Sequence, residues 1–361
     1  MNRFFPEMKK NFGFGCMRFP TVQDQVDIPA VQEMVDAFLE AGFNYFDTAR
    51  PYHGGSSEGV LKEVLTSRYP RERYLLTNKL SPTCFETEEE ILPFFQSQLE
   101  RCGVEYFDFY LFHANSAIRH KKFTETRGYE IVKELKAQGR IRHIGTSFHD
   151  SAEVLDQILT EHPEIEVVQL QFNYVDYEDP KVQAKACYEV CRKHGKPVLV
   201  MEPVKGGSLV NLPPKAMELM EHAPASYALR YAAGFEDIVM VLSGMSNLEQ
   251  VRDNIRTMAD FKPLNRKELA IVDKVKTIYQ AQHRIPCTAC RYCTDGCPAG
   301  IDIPALFACL NDKRAGKEEA DAAYAAFEVK ADACLECGQC ERECPQHLHI
   351  PELLKEVHKA F

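Results

Sequence analysis

Apolar and polar positions over the first 280 residues alternate between two rhythms. Short β-prone apolar runs occupy residues 11–17 (NFGFGCM), 43–49 (FNYFDTA), 74–80 (YLLTNKL), 107–113 (FDFYLFH), 141–147 (IRHIGTS), 167–172 (VVQLQF), 197–203 (PVLVMEP) and 237–244 (DIVMVLSG). Between them the apolar positions recur at helical spacing. In residues 31–42, Val31, Met34, Val35, Phe38 and Leu39 form one stripe that ends at Gly42, where a helix C-cap would fall. The same period runs through residues 88–103, 126–139, 151–162, 181–195 and 247–258, with Ser151 and Asn247 as N-caps. Strand and helix alternating eight times at intervals of roughly 30 residues predict an α/β fold, a (β/α)8 TIM barrel of about 250 residues. A doubly wound open sheet is the alternative. Against it, no strand runs into a G-x-G-x-x-G loop, and GFGCM lacks the third glycine.

The rhythm stops near Gln282, and cysteine takes over. Six of the 14 cysteines are scattered (Cys16, Cys84, Cys102, Cys187, Cys191, Cys309), while eight fall in two runs of C-x-x-C-x-x-C-x-x-x-C-P. The first comprises Cys287, Cys290, Cys293 and Cys297, the second Cys334, Cys337, Cys340 and Cys344. Three thiolates at this spacing wrap one iron–sulfur cube, and the fourth, followed by Pro, commonly ligates the other. Cys287, Cys290, Cys293 and Cys344 are therefore assigned to one [4Fe–4S] cluster, and Cys334, Cys337, Cys340 and Cys297 to a second. Paired zinc sites are the alternative, but they need only four ligands from two C-x-x-C pairs. Eight thiolates leave His347 and His349 surplus as ligands. Residues 303–327 are rich in Ala, Leu, Glu and Lys, so helix is expected there, with Pro304 and Pro351 in first helical turns. The expected division is residues 1–282, a barrel, and residues 283–361, a small, mainly α-helical ferredoxin-like domain.

Composition narrows the function classes. Forty-three basic against 53 acidic residues give a net charge of −10, which argues against nucleic acid or an anionic membrane surface as partner. Apolar residues at 45% and charged residues at 27% are ordinary for a folded protein. No stretch reaches the length of a membrane span, and the N-terminal residues lack the apolar run of a signal peptide. The cytoplasm is the expected compartment; in its reducing milieu so many cysteines point to metal or redox chemistry rather than disulfides. Cys187 and Cys191, four apart on a helix, read as small buried residues. Arg119, His120, Lys121 and Lys122 read as a solvated basic loop, with attraction of an anionic substrate or cofactor as the alternative.

A barrel of this type does its chemistry at the C-terminal ends of its strands. There the second run ends at Asp47, the third at Lys79 and the fourth at His113, and Tyr52 follows on the loop leaving the second. Singly each reads as structural; together they make a proton-transfer system. These residues resemble the aldo-keto reductase family, whose Asp, Tyr, Lys and His tetrad corresponds to Asp47, Tyr52, Lys79 and His113. The resemblance extends over residues 11–258, through FGFGCMRFP, FDTARPY and SSEG, LLTNKL, YLFH, GRIRHIGTS, VVQLQFNY and LSGMSNLEQVRDNI. It implies a carbonyl reductase or alcohol dehydrogenase in which Tyr52 is the acid, Lys79 stabilises its phenolate, Asp47 holds Lys79 charged, and His113 orients the carbonyl oxygen.

The same resemblance implies a cofactor cleft for NAD(P)H, with departures. Ser147 and Gln169 stand where the family contacts the nicotinamide carboxamide, and Phe148 replaces the usual Asn. Met201 stands where many relatives stack an aromatic ring. Gly244 and Gln250 replace a basic pair that often binds the NADP 2′-phosphate, while Asn254, an adenine contact, is kept. The segment before Phe12 is shorter than the hairpin that closes the family's barrel floor. A small-molecule carbonyl or alcohol is the expected substrate, and a ferredoxin-like protein the expected electron-transfer partner. Two further readings are a reductase using flavin or ferredoxin rather than NAD(P)H, and a redox-sensing or electron-transfer subunit.

Overall fold

Every one of the eight apolar runs becomes a strand of one closed parallel barrel in the computed structural model, which describes residues 3–361. The strands are β1 (Phe12–Gly15), β2 (Tyr45–Asp47), β3 (Leu75–Leu80), β4 (Phe107–Asn115), β5 (Ile141–Phe148), β6 (Val167–Gln171), β7 (Val198–Met201) and β8 (Ile238–Gly244). Each pairs with its sequence neighbours, and β1 closes the ring against β8 through Gly15 opposite Gly244. Helices cover the outside while side chains fill the inside, which is why the strands read as unbroken apolar runs rather than alternating ones.

The surrounding helices are α1 (Ile28–Glu40), α2 (Glu88–Cys102), α3 (Ala117–Glu125), α4 (Gly128–Ala137), α5 (Ala152–Glu161), α6 (Ala184–Lys193), α7 (Pro224–Ala233) and α8 (Leu248–Ala259). The stripe Val31, Met34, Val35, Phe38 and Leu39 of α1 is buried, and Gly42 leaves the helix at φ +83°, a conformation that costs glycine little. Ser151 and Asn247 cap α5 and α8 through their side chains. Among the described residues ahead of β1 there is no hairpin, and an irregular stretch closes the barrel floor. Phe5 and Met8 pack among Tyr45, Phe109, Leu111 and Leu199, and Phe5 meets Phe109 edge to face at 5.0 Å. A small hairpin, Thr21–Val22 with Gln25–Val26, follows β1 instead.

A second compact unit gathers residues 180–182, 204–224 and 266–361, so it takes in chain upstream of residue 283. Its main helices are α9 (Arg266–Gln280), α10 (Ile303–Arg314), α11 (Ala320–Ala325), α12 (Gln339–Glu343) and α13 (Ile350–Ala360), and no strand occurs among its described residues. Pro304 and Pro351 lie in the first turns of α10 and α13, where a missing N–H costs nothing. Ile303, Leu306, Phe307 and Leu310 of α10 pack with Ile350, Leu354 and Val357 of α13, and the cysteine runs lie against this core. The Asn311 amide clamps the start of the first run, accepting from Ile285 N at 2.8 Å and donating to Ile285 O at 3.0 Å. Within this unit Gly206, at φ +60°, lies so close to Thr288 that a Cβ would fall 2.6 Å from its carbonyl oxygen.

Candidate active site

Parallel pairing brings the ends of β2, β3 and β4 side by side, and with them Asp47, Lys79 and His113. Lys79 is fully buried. Its Nζ donates to Asp47 Oδ1 at 2.6 Å, to the Thr48 carbonyl at 3.0 Å and to Tyr52 Oη at 3.1 Å, so all three of its protons are engaged. Tyr52 arrives from a tight turn in which its N–H donates to Ala49 O, and the chain then turns away through left-handed His53 and Gly54. The His113 ring stands edge-on to Tyr52, 6.2 Å between centroids, with Nδ1 at 2.7 Å from Ser81 Oγ. Burial, reinforced by the charges of Lys79 and Arg119, drives its basicity well below that of a free imidazole, so the ring is neutral.

A second layer of polar groups fixes Lys79 from behind. Its backbone N–H donates to Asn78 Oδ1, which also accepts from Gln98 Nε2, while Tyr110 donates to Gln98 Oε1 at 2.6 Å. Asn78 Nδ2 in turn donates to Glu58 at 2.9 Å. Glu58, wholly buried, also receives Arg50 Nε at 2.6 Å and Arg101 Nε at 2.9 Å. None of Ser81, Asn78, Gln98 or Arg101 carries a local sequence signal. Glu58 lies in the SSEG run, but its partners are up to 43 residues away in the chain.

The remaining residues singled out on the barrel also lie at strand ends or just beyond. Ser147 and Gln169 are paired across β5 and β6, as are Gln171 and Met201 across β6 and β7. Ser147 Oγ accepts from Ala114 N at 2.7 Å, and Gln169 Nε2 donates to Asp47 Oδ2 at 3.1 Å. Asn254, buried on α8, donates to Ser243 Oγ at 3.2 Å. Gln250 is occupied in the helix cap: its Oε1 accepts from Ser246 N and its own N–H donates to Asn247 Oδ1. Gly244 has a different use, because the Arg18 side chain crosses it so closely that a Cβ would meet Arg18 Cγ at 2.6 Å. Hydroxyl, amide and guanidinium groups of this kind suit the carboxamide, adenine and phosphates of a nicotinamide dinucleotide. Arg18 carries no spacing signal. Arg119 belongs to a helix, α3, rather than a loop; its Nη1 donates to Ala114 O, while Lys122 pairs with Glu86 and Lys121 with Glu125.

In the second unit the cysteines sort across the two runs. Burial raises the Cys293 thiol, and so do its neighbours Cys290, Cys287 and Cys344. A small pocket is lined by Cys297, Cys334, Cys337 and Cys340, with Ile301, Ile303 and Leu354 as its apolar wall. Burial and the nearby Cys334 push the Cys340 thiol up to about 11. A single zinc, with Zn–S of about 2.3 Å, would draw its sulfurs to roughly 3.8 Å apart. A four-iron cube needs a wider cradle, with a thiolate at each of its four irons.

Comparison with known proteins bears on both units. The profile of the Aldo/keto reductase family matches residues 11–222, and that of a 4Fe-4S dicluster domain matches residues 286–348. The NADH-specific methylglyoxal reductase of Escherichia coli is 24% identical, over 63% of this chain and 83% of that protein. An aldo-keto reductase of Mycobacterium avium is 28% identical, over 62% of this chain and 74% of its own. Among solved structures, the holo form of an aldo-keto reductase from Bacillus halodurans covers 74% of this chain and 96% of its own, with a TM-score of 0.62 at 24% identity. An aldo-keto reductase from Klebsiella pneumoniae in complex with NADPH covers 74% and 90%, with a TM-score of 0.60 at 21% identity. These structural likenesses show the barrel fold.

Proposed function

Since this chain belongs to the aldo/keto reductase family and is an oxidoreductase with a 4Fe-4S dicluster domain, we propose that it interconverts a small carbonyl compound and its alcohol, with Tyr52 as the proton donor. The observation that carries this reading is the buried Lys79 ammonium held between Asp47 and Tyr52 Oη. When Tyr52 gives its proton to a carbonyl oxygen, that ammonium stabilises the phenolate left behind, and Asp47, bonded to the same ammonium, holds it in place. His113 is neutral. With Ser81 donating to Nδ1, the ring carries its proton on Nε2, the atom to orient the carbonyl oxygen. A nicotinamide, when bound, would supply or accept the hydride, and clusters held by the eight thiolates would supply one-electron transfer.

For the dinucleotide, Ser147 and Gln169 are the residues to hold the carboxamide and Asn254 the adenine, with Met201 covering the ring. Arg18, lying across Gly244 beside the start of α8, supplies the cation that positions 244 and 250 lack, next to a helix end that favours phosphate. Cys287, Cys290, Cys293 and Cys344 would hold one cluster, and Cys297, Cys334, Cys337 and Cys340 the other. Exposure of Cys337 and of Leu335 beside it favours exchange of single electrons with a ferredoxin-like partner over a purely structural role.

Methylglyoxal with NADH is the first pair to assay, because it is what the E. coli relative's name records. Tyr52→Phe is expected to lower kcat by about 10²–10⁴-fold while leaving nicotinamide binding intact. Unchanged turnover of every accepted substrate would remove Tyr52 as the acid. Anaerobic titration with NADH or NADPH tests the cluster role separately: bleaching of the band near roughly 400 nm is expected if the clusters join the electron path. Clusters that only dithionite can reduce would rule out their reduction by the nicotinamide.

A further inference from the structure

On the helices around the barrel, two histidines and a glutamate that take no part in the tetrad converge. His120 lies in α3; Glu161 and His162 sit at the C-terminal end of α5. One ligand atom from each lies within 4.8 Å of the other two, the one such His, Cys, Asp and Glu grouping among the described residues. His120 Nε2 is already 3.0 Å from Glu161 Oε2, close to the separation of two donors on a tetrahedral zinc with bonds of about 2.0–2.1 Å. The side chains of His120 and His162 are only 12% and 14% exposed, while that of Glu161 is 46% exposed, which leaves an approach from solvent.

From these contacts we infer that His120, Glu161 and His162 form a binding site for a divalent transition-metal cation of the zinc type. Both rings are oriented as metal-ligating histidines are, with the second nitrogen held by another group. His120 Nδ1 is 2.8 Å from Tyr129 Oη, and His162 Nδ1 is 3.1 Å from Glu164 Oε1. The His162 ring also stacks on Tyr129 at 3.5 Å between centroids, which fixes its plane. The electrostatics favour a cation twice over: Glu130, Glu161 and Glu164 surround Tyr129, and the site lies at the negative end of α5. On binding, the metal takes the place between His120 Nε2 and Glu161, any proton held there leaves to solvent, and water completes the coordination. No electron moves. The cation would tie α3 to the end of α5, and through Tyr129 to Asn115 at the end of β4, the strand that carries His113.

The test uses the full chain with its clusters loaded, dialysed anaerobically against Zn2+ with iron, zinc and the cluster spectrum read together. The expected result is about one zinc per chain with no loss of iron, and an affinity lowered at least about tenfold in both Glu161→Gln and His162→Gln. Glu161 is half-exposed, so its replacement keeps the fold, and iron content checks both variants. The proposal is overturned if the protein retains no zinc, if zinc enters only as iron leaves, or if either variant binds zinc as the parent does.

Discussion

A fully buried lysine is costly unless its proton donors are met, and Lys79 meets that demand with a carboxylate, a carbonyl and a phenol. Glu58 is the residue on which the supporting layer depends, because one buried carboxylate receives Asn78, Arg50 and Arg101. Glu58→Gln keeps the shape but leaves two guanidinium groups without their counter-charge. It is expected to cost about 2–3 kcal/mol, discounted from the full price of a broken buried pair because Arg101 is partly exposed. Urea denaturation of the parent and variant checks this; an unchanged midpoint would show that water replaces the carboxylate. The positions of Asp47, Tyr52, Lys79 and His113 were legible in the chain because strand ends can be read from apolar runs. Glu58, Ser81 and Arg18 were not, since their roles come from partners that only folding brings near.

Among the elements, the strands and helices followed from periodicity, and the N-terminal segment shows where that reasoning stopped. Phe5 and Met8 seal the floor from an irregular stretch with no period to detect. The segment is fastened by His143, whose ring bridges Glu7 at 2.6 Å and Glu166 at 3.1 Å. Glu166 is partly buried, which alone would raise its pKa, yet hydrogen bonds from His143, Lys136 and Ile144 N lower it to about 2. Its folded value lies below the ordinary carboxylate value of 4.5. It therefore contributes stability that is complete above about pH 5 and is lost as pH falls toward about 2. Glu166→Gln should flatten the dependence of the urea midpoint on pH over that window. A dependence as steep as the parent's would place the acid-sensitive contact elsewhere.

At the scale of the whole molecule, a reductase barrel and an all-helical thiol-bearing unit are parts of one chain, each with its own core. On the proposed crossed assignment each cradle draws its last ligand from the opposite run, which makes the second unit a single folding problem. Cys344→Ser should therefore perturb the cluster held by Cys287, Cys290 and Cys293, and Cys297→Ser the cluster held by Cys334, Cys337 and Cys340. Electron paramagnetic resonance of the reduced variants distinguishes the two; loss of the cluster of the variant's own run would overturn the crossing. By itself the sequence determined the eight-fold strand and helix alternation, the strand ends that carry Asp47, Lys79 and His113, and the two cysteine runs, because each is written in local spacing. Only the tertiary structure decided that Arg18 passes over Gly244, that Glu58 underpins Lys79, and that His120 meets His162. Those depend on distance in space between residues far apart in the chain, which no local period records.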